Sequence, residues 1–276
     1  MRPLFLTIFL LWSSYIFAQQ YEINAGAESS GMGFSALSNK NVWAVFHNLS
    51  QVSRLNGVQI GVSTSLLYQQ LGFQSSQLSI IYPLKDNAIG VGLHRFGDGL
   101  YNEQLITIGW SQLLGNVSIG IQSNLVQFHV REWINQLSYS FDASVSLPLS
   151  SFVEAQLLVK NFTFNTPKAN LDSFIQSEFY SSIHFGLGLK PTDNIILQPK
   201  IAYRSDQQMF FNFGGEFQLS EAVIIRTGYS NKPSKYHFGW SIFLKKVNVA
   251  YALITHPFLK TSHQLSLSTS FSKLKF

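Results

Sequence analysis

Seven histidines, at positions 47, 94, 129, 184, 237, 256 and 263, are the side chains to weigh first for chemistry. Imidazole is the commonest metal ligand and exchanges protons near neutral pH. They are scattered, with no H-E-x-x-H or other metal-ligand spacing. No G-x-S-x-G elbow is present to expose a serine nucleophile. Gly31-Met32-Gly33 repeats glycine around one residue, but the strand and helix that make such a pair a nucleotide signal are missing around it. No catalytic residue, metal site or cofactor is therefore expected. The charged residues Asp142, Glu154, Lys200, Arg204, Glu216 and Arg226 carry both signs, which points to ion pairing rather than to a selectivity ring of one sign.

The segments that carry those charges alternate. Leu137-Ser138-Tyr139-Ser140-Phe141-Asp142-Ala143-Ser144-Val145-Ser146-Leu147 has one apolar face and one face of Ser and Asp, because successive strand side chains point to opposite sides. Fourteen such segments are expected, near 57–67, 75–83, 88–96, 103–111, 116–128, 135–147, 151–162, 179–189, 194–204, 208–219, 222–230, 236–244, 246–254 and 263–272. Short connections rich in Asn, Asp, Gly and Pro should alternate with longer ones at 68–74, 97–102, 129–134, 163–178, 205–207, 231–235 and 255–262, of which 205–207 is short. An even number of roughly ten-residue alternating strands is the signature of an outer-membrane barrel, with its short turns in the periplasm. The fold class expected is all-β, a fourteen-stranded antiparallel transmembrane barrel with an amino-terminal plug.

Parity assigns the faces. Leu137, Tyr139, Phe141, Val145, Ile183, Phe185, Ile225, Tyr236, Phe238 and Trp240 should meet lipid. Ser138, Ser140, Asp142, Ser144, His184, Asn212, Glu216, Arg226 and His237 should line the bore with Glu154, Lys160, Lys200 and Arg204, the acids meeting the bases across it. Phe128, Phe152, Phe210 and Phe243 join them as lumen aromatics.

Composition agrees. Charged residues make up 12% and hydrophobic ones 46%, far from the ~25% charge of soluble domains. No mature apolar run reaches the ~18 residues that mark a membrane helix. Zero Cys removes disulfides and thiolate ligands from consideration. The net charge of +5 is dispersed apart from Lys245-Lys246 and the tail Lys273 and Lys275, so no nucleic-acid partner is expected. Arg2, the apolar run Leu4 to Leu11 and Ile16-Phe17-Ala18 form a signal peptide over 1–18. Residues 19–56 then form a periplasmic or lumenal hatch, and 57–276 the barrel.

The hatch carries a resemblance. Gly26-Ala27-Glu28-Ser29-Ser30-Gly31-Met32-Gly33, then Ala36-Leu37 and Val42-Trp43-Ala44-Val45-Phe46-His47-Asn48, resembles the amino-terminal signature of the PorV/PorQ-like outer-membrane proteins of Bacteroidetes-type bacteria, relatives of the FadL-type channels. Those proteins usually read G-A-R-x-x-G-M-G, then A-x-x-x-F-x-N-P-A. Glu28 stands here in place of Arg, and Asn48-Leu49-Ser50 in place of N-P-A. The resemblance marks Gly26, Gly31, Met32, Gly33, Trp43, Phe46 and Asn48 as the hatch motif. It implies an accessory or scaffold subunit of a type IX-like secretion or assembly machine, docked in outer-membrane lipid against a larger outer-membrane complex. The alternative it leaves is a FadL-like channel that passes an apolar ligand. Trp43, Val45 and Phe46 are expected inside the barrel, with Gly31-Met32-Gly33 in its periplasmic half.

Overall fold

The computed structural model describes residues 23–70, 72–162, 180–206 and 208–272. The expected signal peptide and the tail lysines 273 and 275 lie outside them. Among the described residues, no helix is long and apolar enough to cross a membrane. The crossing is made by strands: β1 (Gly57–Leu66), β2 (Gln74–Pro83), β3 (Asn87–Gly97), β4 (Tyr101–Leu114), β5 (Val117–Val130), β6 (Ile134–Pro148) and β7 (Val153–Phe162), followed by β8 (Ser182–Thr192), β9 (Ile195–Arg204), β10 (Met209–Gln218), β11 (Val223–Asn231), β12 (Ser234–Leu244), β13 (Val247–Ile254) and β14 (Ser262–Ser272). Each pairs antiparallel with its sequence neighbours, and β1 pairs with β14 from Gly57↔Ser272 to Leu66↔His263, which closes the barrel. Closure gives every strand two partners and leaves no edge to aggregate or to sit unpaired in lipid.

Alternation dictates this wall. Leu137, Tyr139, Ile183, Phe185, Tyr236 and Phe238 point outward and are exposed, while Ser140, Asp142, Ser144, His184 and His237 point inward and are buried. A sheet with both an apolar and a polar face must either stack on another sheet or curl around its polar side. Here it curls, and lipid supplies the second apolar layer.

The connections are less regular than the sequence suggests. Those at 98–100, 131–133 and 232–233 are as tight as the opposite turns, because β3 to β6, β11 and β12 run further than their alternation predicts, while β9 and β10 follow closely on one another as expected. Longer connections occur at 67–73 and 255–261, and the expected connection at 163–178 lies outside the described residues. Between β6 and β7 the register shifts after Phe141↔Phe162 to Ala143↔Val159. Asn161 takes a left-handed φ of 55° there, and its backbone N–H donates to Asp142 Oδ1 at 2.8 Å. The lumenal carboxylate thus caps an N–H that the bulge removes from the ladder.

Residues 23–56 lie inside the barrel. The stretch around Gly26 to Gly33 contains a short helix α1 (Ala27–Gly31). A second short helix α2 (Ala44–His47) and a 3₁₀ segment (Leu49–Arg54) follow. Such short pieces are not stable alone, and tertiary packing holds them.

Candidate functional site

The plug packs by two different means. Its second half is apolar: Val42, Trp43, Val45, Phe46, Leu49 and Val52 form one cluster with Ile81 and Ala88 of the wall and Leu105 of β4. Trp43 is 1% exposed and Phe46 3%. Its first half makes contact through backbone. A Cβ on Gly33 would meet Tyr229 N at 2.7 Å and one on Gly239 would meet Gly31 Cα at 3.1 Å. Gly33 also needs its left-handed φ of 64°, so the motif glycines serve both close approach and turn geometry. Gly239 stands midway along β12, so the Gly31-Met32-Gly33 turn sits at mid-height and not in the periplasmic half. The plug slopes, and its later half occupies the short-turn end.

The wall makes room by the same device. Gly90, Gly92 and Gly120 face inward, where a Cβ would strike Val45 at 2.8 Å, Phe46 at 2.6 Å and Ser50 N at 2.6 Å. Irregular backbone at membrane depth needs partners from protein or water, and the lumenal Ser, Asn and Gln supply them. Ser79 Oγ donates to Val42 O at 2.7 Å, and Asn212 Nδ2 to Gly33 O at 2.6 Å. Ser50 N donates to Ser144 Oγ at 3.0 Å, and Asn48 Nδ2 to Leu37 O at 2.7 Å and Ser146 Oγ at 3.1 Å. Glu28, the departure from the motif, is 2% exposed; it accepts from Asn248 Nδ2 and Ser266 Oγ, each at 2.8 Å. A carboxylate fits there because Asn248 and Ser266 each turn a donor toward it. Asn48 likewise needs no following Pro, since its side chain ties the plug to itself and to β6.

The lumen charges find neighbours rather than opposites, which corrects the expectation of pairing across the bore. Arg226 Nε donates to Glu216 Oε2 on the adjacent strand at 2.6 Å. Arg204 forms a bidentate pair with Asp206, two residues on, and its guanidinium lies 5.2 Å from the ring centres of both Tyr180 and Phe210. Glu154 is approached at 3.9 Å by Lys40 and Arg54 of the plug. Filling the bore with plug shortens every reach, so partners come from the next strand or from the plug.

Among the described residues, a cavity lies on each side of the plug. A chamber of about 100 Å³ at the long-connection end is lined by Ile23 and Phe46 of the plug and by Glu103, Leu105, Thr107, Phe128, Asp142, Lys160, Lys200, Arg204 and Phe210 of the wall. A wider vestibule of about 700 Å³ opens at the short-turn end, lined by Lys40 and Arg54 of the plug, by Glu154 and Glu216, and by Phe152 and Phe243. The expected lumen aromatics therefore divide, with Phe128 and Phe210 above the plug and Phe152 and Phe243 below it. Sequence parity placed the lumen residues but could not say which of them the plug would leave uncovered. Among the described residues, no three His, Asp or Glu side chains gather as a metal site.

No protein-family profile and no curated protein matches this sequence. Solved structures do. The CymD monoaromatic hydrocarbon channel matches with a TM-score of 0.67 at 12% identity over 92% of this chain and 100% of its own. The Pseudomonas putida toluene transporter TodX matches with a TM-score of 0.62 at 12% identity, over 92% of this chain and 98% of its own. A bacterial polysaccharide outer-membrane secretin is more distant, with a TM-score of 0.52 at 8% identity over 78% of this chain and 99% of its own. The chain is a closed fourteen-stranded antiparallel barrel, and its fold is similar to that of the CymD and TodX channels.

Proposed function

We propose that this protein is a FadL-like outer-membrane channel for small molecules with an apolar body, gated by residues 23–56. The observation that carries the reading is a plug with a cavity on either side of it, in a barrel whose structural neighbours are hydrocarbon channels. A solute entering the chamber meets Phe46 and Ile23 as its floor. It reaches the vestibule only if the plug shifts. The hydrogen bonds around Glu28 and Asn48 hold the plug, and each is exchangeable for water at modest net cost, about 1 kcal/mol apiece.

The secretion-accessory reading drawn from the amino-terminal signature is not adopted. The comparisons supply no support for a type IX role, a PorV/PorQ-like membership or a larger complex, whereas they favour the channel.

Because the chain has no Cys, a designed pair would be unique. Ala27 N lies 3.2 Å from Ser266 Oγ, so Ala27→Cys with Ser266→Cys should bridge plug to wall. In proteoliposomes, uptake of labelled solutes from toluene to leucine should fall to the protein-free level when the pair is oxidised and return on reduction. Equal uptake in both states would remove the plug as gate. No uptake of any solute in any state would remove the channel itself.

A further inference from the structure

Charge on the strands faces inward, with one exception. Among the described strand residues, Arg95 of β3 is the Lys, Arg, Asp or Glu whose parity is outward: it is exposed, while His94 and Phe96 on either side of it are buried. Its cross-strand neighbours on that face are polar. The register runs Thr64↔Ser76, Ser76↔Arg95, Arg95↔Gln104 and Gln104↔Gln127, one continuous row over β1 to β5. The next outward row toward the short-turn end is Val62, Leu78, Leu93, Ile106 and Leu125, all apolar. The outer face thus changes from apolar to polar in a single step, and it does so across five adjacent strands.

Strands tilt in a closed barrel, so such rows climb as they cross it. The outward row that starts at Ile60, near the short-turn end of β1, reaches Phe141 on β6 and ends on Phe162, the last residue of β7. The Arg95 row climbs likewise and passes from Gln127 to the exposed Leu137. Apolar side chains therefore stand beyond Arg95 as well as below it, and its guanidinium lies at the margin of the lipid-facing band. A charge there calls for a partner. Among the described residues, no hydrogen bond or ion pair engages Arg95. Asp98, the next acid along the chain, accepts instead from the backbone N–H groups of Leu100 and Tyr101, and Glu103 is buried on the inward face. Donors flank the guanidinium: the Ser76 hydroxyl on one side, and on the other the Gln104 amide, one N–H of which goes to Asn102 Oδ1 at 3.3 Å.

We infer that Arg95, with Ser76 and Gln104 beside it, seats the phosphate of an anionic lipid in the leaflet at the long-connection end, the acyl chains lying over Leu78, Leu93 and Ile106. The guanidinium fork matches two phosphate oxygens at once. Cross-strand spacing of about 5 Å puts the hydroxyl and the amide within reach of the remaining oxygens. A polar row directly above an apolar one is also the profile of a lipid, headgroup over chain. Free phosphate would find the fork but leave the apolar row to other molecules, so the surface as a whole fits the lipid. The site is on the outside of the barrel and stands whether or not the bore is a channel.

The test uses the absence of Cys. A fluorophore on Ile106→Cys, in the apolar row beside Arg95, reports which lipid sits there when the full-length protein is placed in phosphatidylcholine vesicles. Brominated phosphatidylglycerol and brominated phosphatidylcholine, at equal mole fraction, serve as quenchers. The anionic lipid should be enriched about fivefold at this position, the factor that one cation contributes at an anionic membrane surface. The same label on Phe213→Cys, whose outward neighbours are Pro199 and Tyr229, should show no preference. Arg95→Gln should abolish the enrichment at Ile106→Cys while heat-modifiable migration is unchanged. Replacing chloride by inorganic phosphate at equal ionic strength should leave it intact. Equal quenching by the two lipids at Ile106→Cys overturns the inference, as does an enrichment that survives Arg95→Gln or is matched at Phe213→Cys. Loss of the enrichment in inorganic phosphate would assign the seat to the free ion and overturn the lipid. Should Arg95→Gln fail to fold, the comparison of two lipids at two positions, with Arg95 in place, still decides.

Discussion

Ser144 shows how much a single lumenal position depends on what fills the bore. On a water-filled lumen, Ser144→Arg should be tolerated while Phe141→Arg should not. In the folded protein Ser144 Oγ accepts from Ser50 N at 3.0 Å and is 5% exposed, so an arginine there must drive out the plug. Phe141, midway along β6, faces lipid at 37% exposure, and a charge at that depth costs about 2–4 kcal/mol. We expect Ser144→Arg to be at least as damaging as Phe141→Arg, while Ser138→Arg, half-buried nearer the long-connection end, changes stability by less than about 1 kcal/mol. Unfolding in lipid vesicles reads all three. The wall glycines follow the same logic: Gly90→Val should cost about 1–3 kcal/mol by overpacking against Val45. Gly215→Ala, which meets only the rings and branches of Phe217 and Leu197 on the outer face, should be mild. Equal effects at the two glycines would mean that the plug is not seated against β3.

Among the elements, the connection at 255–261 is the one most open to pH. His256 Nδ1 accepts from the backbone N–H of Phe258 at 3.2 Å and of Leu259 at 3.1 Å, and its ring meets Tyr68 edge-on at 5.3 Å. Partial burial, then the neighbouring Lys235 charge, hold its pKa below the usual histidine value of 6.5. The unfolded segment therefore binds the proton first. The loop's stability is present above about pH 6.5 and declines as the pH falls toward the lower folded value. Amide exchange at Phe258 and Leu259 should accelerate on acidification from pH 7 to 5, and His256→Asn should flatten that dependence. The hairpin at 205–208 behaves differently. The Arg204 hydrogen bond depresses the Asp206 pKa below the usual carboxylate value, so its contribution persists to more acid pH and is lost only as the pH falls through the lowered value. A loss of both connections at one common pH would contradict these assignments.

Taken whole, the molecule is a wall held by ladder hydrogen bonds around a plug held by side chains. The two should separate in stability. Ladder bonds in a closed barrel break together, since each strand has two neighbours, whereas the plug's contacts are distributed and partly polar. Trp43→Ala removes the largest fully buried side chain and should cost about 3–5 kcal/mol of plug seating. The barrel itself should persist, seen as unchanged heat-modifiable gel migration and β-type circular dichroism, while single-channel conductance rises from near zero. Low conductance that survives Trp43→Ala would show that the bore is blocked by something other than this plug.

The alternation of Leu137 to Leu147 and its thirteen counterparts was enough to determine the barrel, the strand count and the inward or outward sense of nearly every strand residue. Period-two patterning is local, and a lipid-facing wall needs nothing else to declare itself. The sequence alone also marked Trp43, Val45 and Phe46 for burial, because an apolar group outside a core has nowhere better to go. Tertiary structure decided the rest. That Glu28 meets Asn248 and Ser266, and that Gly33 rests at mid-height against β11, depend on contacts between residues more than a hundred positions apart. No local pattern encodes such distances; the path of the plug through a closed wall sets them, and only the folded chain has that path.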